Sequence, residues 1–191
     1  NSGAKIIDVG GESTRPGSHE ISYEVEKERV VKYLEFLSKT NHGAIISVDT
    51  RKAVVAERAL RAGANMINDV SAMGFDENMA KVIKNSGAPI CLMHSHLGRQ
   101  EKTKAYDYTD VLLDVYDFLA QKVKDAVAYG IPKTQILLDP GIGFNKNLNH
   151  NLNLLNRVSL FHALGCRLLV GASRKGFIGA ISGEGKPEKR L

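Results

Sequence analysis

The chain has 191 residues, of which 43% are hydrophobic and 25% charged, with a net charge of +5. That is the composition of one compact domain spanning 1–191. It excludes a membrane-spanning helix, because no run of about 18 apolar residues occurs. The basic residues are scattered rather than clustered, which argues against nucleic acid and suits a small anionic substrate. Cys91 and Cys166 sit in apolar runs, as buried reduced thiols of a cytoplasmic protein do.

In chain order, short β-rich runs alternate with longer amphipathic ones. Strands are expected at Lys5–Val9, Ala44–Asp49, Asn65–Asp69, Pro89–His94, Gln135–Asp139 and Arg167–Gly171. Most are continuously apolar, the pattern of strands buried on both faces of a parallel sheet. Helices are expected at Tyr23–Ser38, Lys52–Ala62, Glu77–Asn85, Asp110–Tyr129 and Asn151–Leu164. In the fourth, Val111, Leu112, Val115, Phe118, Leu119, Val123 and Val127 form a stripe at helical spacing. Gly43, Gly63, Gly87, Gly130 and Gly165 stand where the helices should stop.

Repeated βα units imply parallel strands joined by helical crossovers. The placement of polar residues separates a barrel from an open sheet. Asp49, Asn68, Asp69, His94 and Asp139 each end an apolar run, and Ser173-Arg174-Lys175 follows the last. A barrel gathers those ends on one rim, whereas an open sheet spreads them along a line. No G-x-G-x-x-G fingerprint follows any strand. We therefore expect an α/β fold of the (β/α)8 TIM-barrel class, incomplete at about six βα units, since a whole barrel takes about 250 residues. The chain opens on Asn1 and closes on a polar stretch, Gly183 to Leu191, and reads as a piece of a longer protein.

Five segments carry chemistry. Asp8-Val-Gly-Gly-Glu-Ser-Thr-Arg-Pro-Gly17 follows the first strand, and its Ser13, Thr14 and Arg15 offer donors to an anion. Ser47-Val-Asp49-Thr and Ile67-Asn68-Asp69-Val place a carboxylate and an amide at strand ends. Such a pair reads a heterocycle with adjacent donors and acceptors; helix capping is the alternative left open by sequence. Asp69 is assigned to bracing its loop. Leu138-Asp139-Pro-Gly-Ile-Gly-Phe144 holds a carboxylate at the mouth on a backbone path that glycine permits. In Val170-Gly171-Ala-Ser173-Arg174-Lys175, the glycine admits a flat ligand and the lysine sets a cation beside the carboxylates. His94 is expected to hydrogen-bond within the rim, and His94-Ser-His96 is too sparse for a transition-metal site. The stretch Asn145–Asn153 is expected to be a solvated loop leading into a helix, with Asn145 tolerating left-handed backbone angles.

Together, Ile-Ile-Asp-Val-Gly-Gly-Glu-Ser-Thr-Arg-Pro-Gly (6–17), Ile-Ser-Val-Asp-Thr (46–50), Ile-Asn-Asp-Val (67–70), Cys-Leu-Met-His (91–94), Leu-Asp-Pro-Gly-Ile-Gly-Phe (138–144) and Ser-Arg-Lys (173–175) resemble the dihydropteroate synthases, a pterin-binding TIM-barrel family. The resemblance runs from end to end of the chain. It implies a folate-pathway transferase that joins 6-hydroxymethyl-7,8-dihydropterin pyrophosphate to p-aminobenzoate, and a sulfonamide target. It implies a pterin held by Asp49, Asn68, Asp139 and Lys175, with Met93 and Gly171 beside the ring; Asp49, Asp139 and Lys175 are the catalytic candidates. It further implies a p-aminobenzoate and pyrophosphate region built from Ser13, Thr14, Arg15, Pro16, Gly143, Phe144, Ser173 and Arg174. Mg²⁺ is the expected cofactor, with its ligand upstream of Asn1. A homodimer is the expected assembly when full length.

The family's first strand, with its Asn-bearing loop, and its last, with an Arg-x-His motif, have no counterpart in 1–191. The 191-residue polypeptide alone is therefore expected to fall short of full activity. The competing readings are the pterin-binding domain of a methyltransferase and an inactive fragment of the synthase.

Overall fold

In the computed structural model, residues 3–13, 18–37, 39–40, 43–95 and 108–190 are described in full, and Ser38 by its backbone alone. Six strands, β1 (Ile6–Gly10), β2 (Ile45–Asp49), β3 (Met66–Asp69), β4 (Ile90–Met93), β5 (Ile136–Asp139) and β6 (Arg167–Leu168), make one parallel sheet. Their spatial order is their chain order. A doubly wound open sheet reverses direction at a switch point; this one never does, as in a barrel.

Between and after the strands lie α1 (Tyr23–Ser38), α2 (Ala53–Arg61), α3 (Met79–Ser86), α4 (Val111–Tyr129), α5 (Leu148–Asn156) and α6 (Gly176–Ser182). Ser22 caps α1 by accepting from the Val25 N–H, and Asp110 caps α4 by accepting from Leu112 and Leu113. Gly87 and Gly130 end α3 and α4 in the left-handed conformation, as their positions in the sequence require. Val48, Ile67, Ile90, Leu92, Ile136 and Leu138 from the strands are fully buried with Val55, Ala59, Met79, Ile83, Val115, Leu119 and Phe161. Truncating any of these large side chains to alanine costs about 2–5 kcal/mol, so this core fixes where the strand ends stand.

The structure departs from the sequence expectation at several element ends and in one added helix. α2 starts one residue late, because Lys52 is extended (φ −102°, ψ 119°) and turns its amine inward. The fifth helix begins early at Leu148, where Asn147 and His150 form a capping box. It breaks at Arg157 (φ −118°) into a separate 3-10 helix, Val158–Leu164. β6 stops at Leu168, short of the expected Gly171. α6 lies outside the five expected helices; Gly176 and Gly179 within it obscure the helical pattern.

Candidate active site

Strand register places the pterin-reading candidates side by side. Asp49 ends β2 opposite Asn68 on β3, and Gly10 of β1 stands opposite Asp49 on its other side. The Asn68 amide donates to Asp8 Oδ2 at 3.1 Å. Asp49 Oδ1 and Asn68 Oδ1 are buried and have no hydrogen-bond partner among the described residues. A buried polar atom left unbonded costs about 1–3 kcal/mol, and such atoms in a folded protein call for an explanation. Capping does not supply one, because the N–H of Lys52 is taken by the Thr50 hydroxyl. Two unbonded acceptors on neighbouring strand ends are what a ligand with adjacent N–H donors needs.

The electrostatics agree. Burial, and then the neighbouring carboxylates of Asp8, Asp69, Glu26 and Glu12, push the Asp49 carboxyl up to about 8. Burial also raises Asp139, opposed by the Gly141 N–H and by the charges of Lys175 and Lys146. The Cys91 thiol on β4 is raised by burial first, then by Asp139, Asp8, Asp69 and Asp49. All four carboxylates thus lie within electrostatic reach of Cys91. Asp69 differs from the other three in being fully bonded. Its Oδ1 accepts from the Ser71 N–H and hydroxyl at 2.8 and 2.6 Å, and Oδ2 from Met73 N at 2.7 Å. It braces its loop, as expected.

Lys175 reaches this mouth from the segment after β6. Its amine donates to the Ile142 carbonyl and lies 4.7 Å from the centroid of the Phe144 ring. A Cβ on Gly143 would stand 2.8 Å from Lys175 Cδ, so only glycine lets the lysine stem lie along the loop. Gly171 is 3.6 Å, measured from an added Cβ, from the Lys175 amine. Burial lowers the Lys175 pKa, against the pull of Asp139. Met93 is buried at the end of β4 as the register partner of Asp139. Ser13, Ser173 and Arg174 are exposed, and the structure does not bring them onto the pterin row. Thr14, Arg15, Pro16 and His96 lie outside the described residues.

The sequence reading missed three groups. Asp8, read there as part of the loop motif, is the partner of Asn68; a carboxylate inside the apolar run Ile6-Ile7-Asp8-Val9 was its signal. The stretch 145–153 does lead into a helix and is mostly exposed, but its Lys146 turns inward. Lys146 Nζ lies 3.0 Å from Gly141 O, 3.1 Å from Phe144 O and 3.0 Å from His94 Nδ1. Burial draws that amine down to about 7, despite Asp139, with Lys175 adding to the effect. Asn145 does adopt a left-handed φ of 50°, and His94 does bond within the rim. The third group is a buried cluster below the first loop. Lys52 bridges Glu12 at 2.5 Å and Glu26 at 2.8 Å, Arg51 bridges Glu12 at 2.9 Å, and the Thr50 hydroxyl donates to Glu26 at 2.6 Å. Burial works to raise the Glu12 pKa, and the bond to Lys52 and the charge of Arg51 bring it below the usual carboxylate range.

Among the described residues no three His, Cys, Asp or Glu side chains come together as a metal site. Also among them, no helix is long and apolar enough to cross a membrane.

Comparison with known proteins places this geometry. Residues 1–191 match the family described as pterin binding enzyme. The chain is 41% identical over 191 residues to the dihydropteroate synthase of Escherichia coli K12, covering all of this chain and 67% of that protein. It is 44% identical over 179 residues to that of Bacillus subtilis, covering 94% of this chain and 60% of that one. A solved Xanthomonas albilineans dihydropteroate synthase with 4-aminobenzoic acid superposes with a TM-score of 0.91 at 38% identity, covering 99% of this chain and 66% of that chain. The chain thus spans about two thirds of the length of these bacterial relatives. With its consecutive parallel strands and its row of strand-end carboxylates, the chain belongs to the pterin-binding enzyme family, alongside the dihydropteroate synthases.

Proposed function

We propose that this chain carries the pterin-reading part of a dihydropteroate synthase, which condenses 6-hydroxymethyl-7,8-dihydropterin pyrophosphate with p-aminobenzoate to give 7,8-dihydropteroate and pyrophosphate. The observation that carries the reading is the pair of buried, unbonded acceptors on Asp49 and Asn68. They complement the N–H edge of an aminopyrimidinone, with Asp139 and Lys175 closing the mouth. Relatives solved with 4-aminobenzoic acid and with 7,8-dihydropteroate support it.

In the reaction the bond from the pterin methylene to the pyrophosphate oxygen breaks, and the electron pair leaves with pyrophosphate. The aniline nitrogen forms the new C–N bond and gives its extra proton to solvent. The carboxylates favour the electron-poor pterin that results, so catalysis is positioning and electrostatics without a covalent enzyme intermediate. Phe144, beside the Lys175 amine, offers an aromatic wall for p-aminobenzoate. Magnesium dependence, homodimerisation and a cytoplasmic location belong to the same proposal. The first rests on the polyanionic leaving group and the last on two free buried cysteines.

The test is pyrophosphate release by the protein expressed with its natural flanking sequence. Release that requires p-aminobenzoate supports the synthase. Pterin binding without such release sinks it and leaves a pterin-binding methyltransferase domain.

A further inference from the structure

The loop between β5 and α5 is held from several sides, by Asp139 of the site and by side chains the reaction itself does not call for. Asp139 Oδ1 accepts from the Gly141 N–H at 2.7 Å, and the Asp139 carbonyl accepts from the His94 N–H at 2.9 Å. Gly141 has φ +71°, and a Cβ there would collide with the His94 carbonyl, so the loop is pressed onto the end of β4. On the far side, the Gly143 N–H donates to Asn151 Oδ1 at 2.6 Å. Asn151, buried on α5, donates in turn to the carbonyls of Lys146 and Asn147 at 3.2 and 2.8 Å. In the middle lies Lys146. Its three N–H bonds face four acceptors: the carbonyls of Gly141, Phe144 and, at 3.4 Å, His94, and the His94 ring nitrogen.

We propose that Lys146 is a positioning residue for the second substrate: it ties the Gly141 and Phe144 carbonyls to the end of β4 and so sets where the Phe144 ring and the Lys175 amine stand. The inference rests on the synthase reading given above. Its geometric basis is that one amine binds the backbone on both sides of the Ile142–Gly143 segment. Ile142 supplies the carbonyl that Lys175 uses, and Gly143 supplies the space for the Lys175 stem. Lys146 touches neither pterin acceptor. Asp139 is also anchored independently by the Gly141 N–H, so the pterin end of the site should feel the loss of Lys146 less than the Phe144 end.

The test compares Lys146→Met and Lys146→Arg with the unaltered protein, expressed with natural flanking sequence, in steady-state kinetics on both substrates. In Lys146→Met the KM for p-aminobenzoate should rise about tenfold, while kcat and the KM for the pterin pyrophosphate stay within about threefold, the signature of lost binding rather than lost chemistry. Lys146→Arg keeps the donors and should recover most of the loss. A brace that is merely structural would lower the melting temperature and leave the two KM values unsplit, which overturns the inference. Should Lys146→Met not fold, Lys146→Gln, which retains two N–H donors, takes its place; its failure to fold would also overturn it. An inactive unaltered protein would sink the synthase reading, and this inference with it. An active one whose variants keep their KM would sink this inference alone.

Discussion

Two clusters of buried charge lie within a few residues of each other at the mouth of this barrel, and they are built on opposite principles. Below the first loop, Glu12, Glu26, Arg51, Lys52 and Thr50 bond to one another, so each buried carboxylate meets a cation. On the pterin row, Asp8, Asp49 and Asn68 leave two acceptors unbonded, and among the described residues no cation pairs with Asp49. The paired cluster leaves only Arg51 Nε without a partner, its carboxylates all meet cations, and it holds structure. The unpaired one is unfinished, and its deficit is the size and sign of a ligand edge. Buried charge by itself therefore says little about function; the bonding left undone says much more.

That contrast can be broken first, and with the largest effect, at Lys52. Lys52→Met strands Glu12 and Glu26 without their shared cation and should cost about 3–5 kcal/mol in urea unfolding. A loss under about 1 kcal/mol would mean the cluster is not the structural brace described. Asp49→Asn should behave in the opposite way. Because the folded pKa of Asp49 is raised to about 8, the folded state holds a proton there that the unfolded state gives up near the ordinary carboxylate value. That contribution to stability is present in full at low pH and is lost as pH rises through about 8. The asparagine variant should thus gain stability over the unaltered protein at pH 9, and the gain should shrink towards pH 6. Its pterin affinity should fall by about 1.5–3 kcal/mol, the range for a hydrogen bond to a charged group. A variant less stable at pH 9 would count against the raised pKa.

Calorimetry gives a smaller and sharper measure. Pterin N–H donors favour the ionised carboxylate, so binding at pH 7 should release a fraction of a proton, seen as a binding enthalpy that varies with buffer ionisation heat. No variation would mean that Asp49 binds the ligand as a neutral acid. The smallest effect belongs to the exposed Glu57–Arg61 pair on α2. Glu57→Ala should move stability by under about 0.5 kcal/mol, and a larger change would show that surface charge matters more here than burial.

Most of the fold was legible in the sequence, because buried parallel strands write continuous apolar runs and glycines mark helix ends. The strand-end residues Asp49, Asn68 and Asp139 were legible for the same reason: a polar residue closing an apolar run has few places to be. Lys146 was not. It sits among asparagines in Asn145–Asn153, a composition that looks like solvent-facing loop. Only the three-dimensional turn of the chain shows that its amine faces inward. Lys52 and Glu26 were hidden similarly, since a helix start and a charged helix each have an ordinary surface explanation. α6 was hidden by its own two glycines, and the break at Arg157 by the unbroken apolar spacing on either side.

The pairing of Asp49 with Asn68 carries a consequence for how such a site can change. Neighbouring strands fix it, since Ser47, Val48 and Asp49 stand against Met66, Ile67 and Asn68. Deleting one residue from β3 would exchange the two faces of that strand, turning the amide outward and an isoleucine into the mouth. A deletion of the same size in the segment after β1 leaves the register untouched. Recognition of the heterocycle is thus written in the strands and is brittle to frame. Adjustments to the second substrate fall to the connecting segments, where length is free to vary.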